Sequence, residues 1–157
     1  MKIKLEINNT TNSPIENGFF ERVAKETLEE SSYAVSDERT VVISVALVSG
    51  EEIRKLNKDY RRNDAVTDIL SFAEFESHSE VRDLLAMDLE EELFLGELIL
   101  CYNDIKEYAA KENLGLEMEL AKVFSHGFLH LLGFVHGNKM FDIQQRVADL
   151  LIKQKNT

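Results

Sequence analysis

Three of the four histidines in this 157-residue chain fall within eleven consecutive positions, as His126, His130 and His136 in the run SHGFLHLLGFVHG. On a helix, residues four apart share a face with Cβ atoms about 5 to 6 Å apart, so the imidazoles of His126 and His130 can close on one cation. Gly133 follows where the helix has room to stop, because glycine accepts the left-handed conformation that commonly ends one, and the chain beyond it can turn back to deliver His136. Three protein ligands with a fourth position open describe a catalytic zinc site, whereas closed structural sites usually recruit thiolates. The only cysteine, Cys101, lies 25 residues upstream of His126. A zinc ion on three neutral imidazoles keeps its charge, acts as a Lewis acid and lowers the pKa of a bound water from about 15.7 to about 7. Any one of these histidines alone reads as a hydrogen-bonded core or surface residue; the spacing of the three together points to one Zn2+ per chain.

The elements that must position this ladder follow from apolar patterning. Alternation over Lys2 to Ile7 predicts a first strand, and Pro14 to Ser31 shows helical spacing through Ile15, Phe19, Val23 and Leu28. The β-branched run Thr40 to Val48 predicts a central strand, and a charged helix then runs to about Tyr60. Ser49 with Glu52 three residues on gives that helix a capping box. Thr67 to Ala73 and Phe94 to Cys101 complete four strands, and Asn103 to Glu112, Leu116 to Leu132 and about Lys139 to Lys153 are helical. On the middle one of these, Leu116, Leu120, Val123, Phe124 and Leu131 share an arc bordered by the two histidines, and the side carrying Lys122 and Ser125 is more polar. Phe124, Phe128 and Phe134 are expected in the core, and Cys101 as a buried, inert thiol.

Length and an apolar content of 44% suit one domain spanning 1–157. Between the last two strands lies an acidic excursion at about 74–93, carrying Glu74, Glu76, Glu80, Asp83, Asp88, Glu90, Glu91 and Glu92, with a short helix expected over Val81 to Leu89. His78 within it reads as solvated. The N-terminus lacks the apolar run of a signal peptide, no segment approaches a membrane span, and a single cysteine cannot form an internal disulfide. These features predict a cytoplasmic protein without a membrane partner. A net charge of -11 opposes non-specific attraction to nucleic acid by the molecule as a whole.

The run HGFLHLLGFVH resembles the HGxLHLxGxDH signature of the YbeY family, metal-dependent endoribonucleases of ribosomal RNA maturation. LNKDYRRNDAVTDILSF at Leu56 to Phe72 is similar to that family's LNxxYRxxxxPTDVLSF segment, and LGELIL at Leu95 to Leu100 to its LGDIxI strand, so the three blocks cover roughly residues 41 to 137. The resemblance implies an α+β fold of zincin-like YbeY architecture, a mixed four-stranded sheet packed with about five helices and the ligand helix beneath it. It implies zinc on His126, His130 and His136, and Arg61 as the basic residue acting on RNA. It also implies a single-strand-specific endoribonuclease of 16S ribosomal RNA 3′-end maturation and ribosome quality control. Its expected partners are ribosomal RNA, the small subunit or its proteins, and an assembly GTPase. Two positions depart from the pattern: Val66 replaces a proline and Val135 replaces the aspartate before the third histidine, so any support that aspartate gives must come from elsewhere.

Cleavage of a phosphodiester also needs a cation for the developing phosphorane charge. Arg54, Lys55, Lys58, Arg61 and Arg62 put five basic residues in nine positions, readable as a phosphate-facing patch or as a solvated surface paired with Glu51, Glu52 and Asp59. Two other classes fit the ladder. HExxH metallopeptidases share the i, i+4 ligands but use a glutamate after the first histidine as base; that residue is Gly127 here, leaving Glu97 or Glu119 as substitutes. A non-catalytic ribosome assembly factor would use the metal structurally and the acidic segment for a basic protein. Thr67, Asp68 and Ser71, though within a family block, read as turn or cap devices at a strand entrance.

Overall fold

A computed structural model describes residues 1–155. Its sheet holds four strands, β1 (Lys2–Asn9), β2 (Thr40–Leu47), β3 (Ile69–Ala73) and β4 (Glu92–Leu100), in the order β1-β2-β4-β3. The first three in that order run parallel and β3 closes the edge antiparallel to β4. This is the expected α+β fold with a mixed sheet, but six helices pack on it where about five were expected: α1 (Phe19–Glu30), α2 (Gly50–Arg61), α3 (His78–Ala86), α4 (Tyr102–Lys111), α5 (Leu116–Leu131) and α6 (Asn138–Lys155). The short helix expected within the acidic excursion forms as the nine-residue α3.

Apart from Thr40 and Ser44, β2 is apolar because both its faces are covered, as parallel central strands require. Val41, Ile43, Val45 and Leu47 enter the main core, while Ala46 and the following Val48 pack under α2 with Ile53, Leu70, Ile99 and Cys101. β4 fits between β2 and β3 only by a bulge: Val42 pairs with Phe94 and Ile43 with Gly96, so Leu95 is surplus and is driven into the core. Gly96 has φ +140°, and a Cβ there would stand 2.2 Å from the Phe72 carbonyl oxygen. Only glycine lets β3 and β4 pair at that point.

α5 is the axis of the helical layer, contacting α1, α4, α6, β3 and β4. Phe124 and Phe128 are fully buried along it, and Phe124 stacks on Phe20 with ring centroids 4.7 Å apart. Of the side of α5 read as more polar, Lys122 stays partly exposed but Ser125 is buried against α1, its hydroxyl bonded to that of Thr27 at 2.8 Å. A hydroxyl pair satisfies both groups and allows close approach of two helices without a charge.

Three boundaries differ from expectation. α1 starts at Phe19 and not near Pro14, because residues 14–16 are irregular and Asn17 and Gly18, the latter at φ +80°, form a turn. α3 starts and ends three residues early because the Ser77 hydroxyl, not a residue further on, accepts the Glu80 N–H at 3.1 Å. β4 begins at Glu92, so the excursion ends two residues sooner than read. The buried guanidinium of Arg39 fastens this segment, donating to the carbonyls of Leu84 (2.9 Å) and Glu91 (3.1 Å). Its carboxylates all face solvent. The Ser49 cap forms as expected, its hydroxyl accepting the Glu52 N–H at 3.1 Å. Among the described residues, no helix is long and apolar enough to cross a membrane.

Candidate metal centre

The end of α5 and the turn after it build the ladder. Leu132 caps the helix and Gly133, at φ +89°, reverses it. The Gly133 N–H bonds the His130 carbonyl and the Phe134 N–H bonds the Leu129 carbonyl, each at 3.0 Å. This crossed pair is the Schellman closure, with buried Phe134 as its hydrophobic contact. The Tyr33 hydroxyl donates to the Leu132 carbonyl at 2.5 Å and braces the turn from behind, its ring packed between His78 and Phe134. His78, read as solvated, is exposed, yet its ring lies 4.8 Å from that of Tyr33. It is no part of the ladder.

The turn places His136 against the helical pair. The three Nε2 atoms form a near-equilateral triangle: His126 to His130 3.2 Å, His126 to His136 3.2 Å and His130 to His136 3.3 Å. Three imidazole nitrogens aimed at one point cannot satisfy one another, since a single shared proton serves two of them and leaves the third lone pair facing its neighbours. A cation answers all three. The Nδ1–H of His126 donates to Oε1 of Gln144 on α6 at 2.9 Å, which fixes the tautomer with the Nε2 lone pair inward. Burial first, then the like charges of His126 and His136, hold the His130 pKa below the usual histidine value, against an opposing backbone hydrogen bond at Phe134. That ring therefore stays neutral, and able to ligate, to lower pH than an ordinary histidine. These residues fit a metal ion, and they are the only such group of His, Cys, Asp and Glu among the described residues.

Gln144 was not legible in the sequence. It lies eighteen residues from His126 with no motif around it, and only the packing of α6 on α5 brings the two together. It supports His126 and not His136; Val135, the residue before the third histidine, is 81% exposed. Gln144→Ala should weaken metal affinity about 10- to 100-fold with the fold intact, measured by competition against a chromophoric chelator.

The ladder lies in a cleft of about 1180 Å³ between α5, α4 and β3. Arg61, at the end of α2, lines it and is held from behind: one N–H donates to the Ser71 carbonyl at 2.7 Å and the guanidinium lies 4.8 Å over the Phe72 ring. The other members of the basic cluster do not line the cleft. Arg54 is tied to Asp64 at 2.8 Å, a partner different from the acids considered in the sequence, and Arg62 caps α2 in the left-handed region at φ 57°. Thr67, Asp68 and Ser71 do line the cleft, while the Asp68 carbonyl accepts the Cys101 N–H at 2.9 Å. Cys101 is buried, and burial raises its thiol pKa, as expected of an inert residue. The cleft's cations are Arg61, Lys111 and Lys122; its carboxylates are Asp68, Asp104, Glu107 and Glu119. Burial, followed by the charges of Asp68 and Glu107, raises the Asp104 pKa.

A peptidase base has no place here. A Cβ on Gly127 would stand 2.5 Å from Ile69 Cδ1 and 3.1 Å from the Ser71 hydroxyl, so a glutamate after the first histidine would collide with β3. Glu97 pairs in register with Ser44 and Phe72 on the α2 face of the sheet, away from α5. Glu119 lines the cleft, but its carboxylate is held by Lys122 at 3.1 Å.

Comparison with known proteins agrees with this geometry. The profile of the family described as Endoribonuclease YbeY matches residues 6–151. Proteins named Endoribonuclease YbeY from Bacillus pumilus and Limosilactobacillus fermentum are similar to the chain, at 37% identity over 82% of it and 87% of the relative, and at 33% identity over 82% and 85%. The solution structure of TM1509 from Thermotoga maritima superposes with a TM-score of 0.62 at 24% identity, covering 98% of this chain and 91% of that one, a likeness of fold.

Proposed function

The chain belongs to the YbeY endoribonuclease family, and from that premise we propose that it is a zinc-dependent endoribonuclease cutting single-stranded RNA, acting in 16S ribosomal RNA 3′-end maturation and ribosome quality control. The observation that carries the metal dependence is the triangle of Nε2 atoms at 3.2 to 3.3 Å in the same cleft as a braced, exposed arginine. His126, His130 and His136 would hold the ion, and neutral imidazole is a ligand that suits zinc while leaving its charge intact. Bound there, zinc supplies Lewis acidity toward a phosphoryl oxygen and a nucleophile at neutral pH.

The chain's own groups do the rest. Gln144 orients His126, and the Schellman turn holds His136 in reach without its own carboxylate partner. Arg61 spends one of its five N–H donors on the Ser71 carbonyl and keeps others for a phosphate oxygen. Seated on Phe72, it is pre-organised for the charge that develops as the phosphodiester is attacked. The excursion's exposed carboxylates keep the remaining surface unattractive to RNA, which favours capture at the cleft.

Arg61→Ala should lower cleavage of single-stranded RNA by about a hundredfold while zinc content stays at one ion per chain. The test is cleavage of single-stranded, duplex and 16S precursor RNA by the zinc-loaded protein, its chelated form and this variant. Equal cutting of all three RNAs after chelation, or by Arg61→Ala, sinks the proposal.

A further inference from the structure

The cleft is longer than its chemistry requires. Its histidine end uses the last turns of α5, yet its lining continues to Glu119 and Lys122 near the start of that helix and to Tyr108, Lys111 and Leu114 around the end of α4. At 1.5 Å rise per residue, Glu119 lies about 10 Å from His126 along the axis and about 16 Å from His130. A scissile phosphate at the histidines leaves that far end for another part of the strand.

The far end has the wrong charge for a backbone site. Asp104 and Glu107 share α4 with Lys111, and Lys122 is already paired with Glu119 at 3.1 Å. With four carboxylates against three cations in the whole lining, the cleft has no cationic excess from its own side chains. Phosphate attraction, the usual sequence-independent source of affinity for RNA, is therefore weak here.

What the far end offers instead is an exposed ring. Tyr108 is 53% exposed, and Leu114, which also lines the cleft and whose N–H bonds the Ala109 carbonyl one residue on from Tyr108, is exposed as well. Apart from the ligand histidines it is the one aromatic residue lining the cleft among the described residues. Tyr60, by comparison, is committed edge-on to Phe72 at 5.5 Å, and Phe141 lies beside His126 outside the lining. An aromatic face left open in a channel is the means by which proteins hold unpaired bases, because every base has a face to stack.

Resting on the nuclease reading above, we propose that the far end is a base-binding subsite in which an unpaired base of the RNA substrate stacks on Tyr108 against Leu114, away from the scissile phosphate. A base within a duplex is already stacked and cannot be inserted, so the subsite gives the cleft a reason to require single strands that charge alone would not.

The experiment uses the zinc-loaded protein and a labelled single-stranded RNA in which an abasic ribose is moved along the sequence one position at a time. Binding is read by fluorescence anisotropy and cleavage by KM and kcat. In the wild type, one abasic position on one side of the cut should raise KM and Kd. Tyr108→Ala should raise both about 5- to 150-fold on intact RNA, the range expected for losing one stacked base, with kcat and zinc content unchanged, and should abolish the sensitivity to that abasic position. Tyr108→Phe, which keeps the ring, should behave as wild type. A wild type that binds RNA through Tyr108 but cuts nothing keeps the subsite and removes the nuclease reading. Binding and cleavage both indifferent to Tyr108→Ala remove the subsite and leave the nuclease reading standing.

Discussion

His130→Ala should abolish metal binding and lower RNA cleavage by about 10³-fold or more, with secondary structure by circular dichroism unchanged. Of the three ligands His130 is the most informative to remove. It is 3.2 Å from His126 and 3.3 Å from His136 and is the one whose pKa burial holds low, and its loss leaves one helical ligand and one on an exposed turn. Two imidazoles retain little affinity where three were needed for an open catalytic site. The metal contributes several kcal/mol of transition-state charge stabilisation, and each 1.4 kcal/mol is about tenfold in rate. The fold should survive because the side chain is only partly buried and the helix around it is fixed by Phe124, Phe128 and Leu129. Metal stoichiometry and cleavage have to be measured on the same preparation. If the ion is lost while cleavage persists at the wild-type rate, the metal is structural and catalysis lies elsewhere.

That prediction rests on residues whose roles could be read from spacing, and the structure shows where spacing stops being informative. His126 and His130 meet because i, i+4 geometry is local, and Gly133 ends the helix because only local backbone is involved. Four strands and the Ser49 cap were visible for the same reason. The order β1-β2-β4-β3 was not, since insertion of β4 depends on the Leu95 bulge and the contact of Gly96 with Phe72, a partner more than twenty residues away. Ser125 was assigned to a polar side because a helical wheel presumes a solvent-facing half, and α5 is wrapped by α1, α4, α6 and the sheet. Gln144 and the brace on Arg61 are both contacts between elements. Each needed the packing of one element on another, which a one-dimensional pattern does not encode.

Gly133→Ala should destabilise the protein by about 2 to 5 kcal/mol and weaken the metal site together with it. Two costs add at this position. Alanine at φ +89° sits in a region that non-glycine residues occupy at a cost of order 1 to 3 kcal/mol. The new Cβ would also stand 2.7 Å from His78 Cα and 2.8 Å from His78 N, at the start of α3. Those are backbone atoms, so no rotamer change relieves the clash; α3 or the turn must move. α3 is not free to do so, because Arg39 and the Ser77 cap fasten it. The turn therefore yields, and it carries His136. Its hydrogen bonds from Gly133 to His130 and from Phe134 to Leu129 would lengthen, taking the third ligand off the triangle. Gly137→Ala is the control from the other side of His136: its Cβ would meet nothing within 4 Å, so the change should stay within about 0.5 kcal/mol. Urea unfolding at constant m should separate the two variants, and metal titration should rank them in the same order. A Gly133→Ala protein as stable as Gly137→Ala, with undiminished metal affinity, would show that the closure behind His136 is not what holds the third ligand.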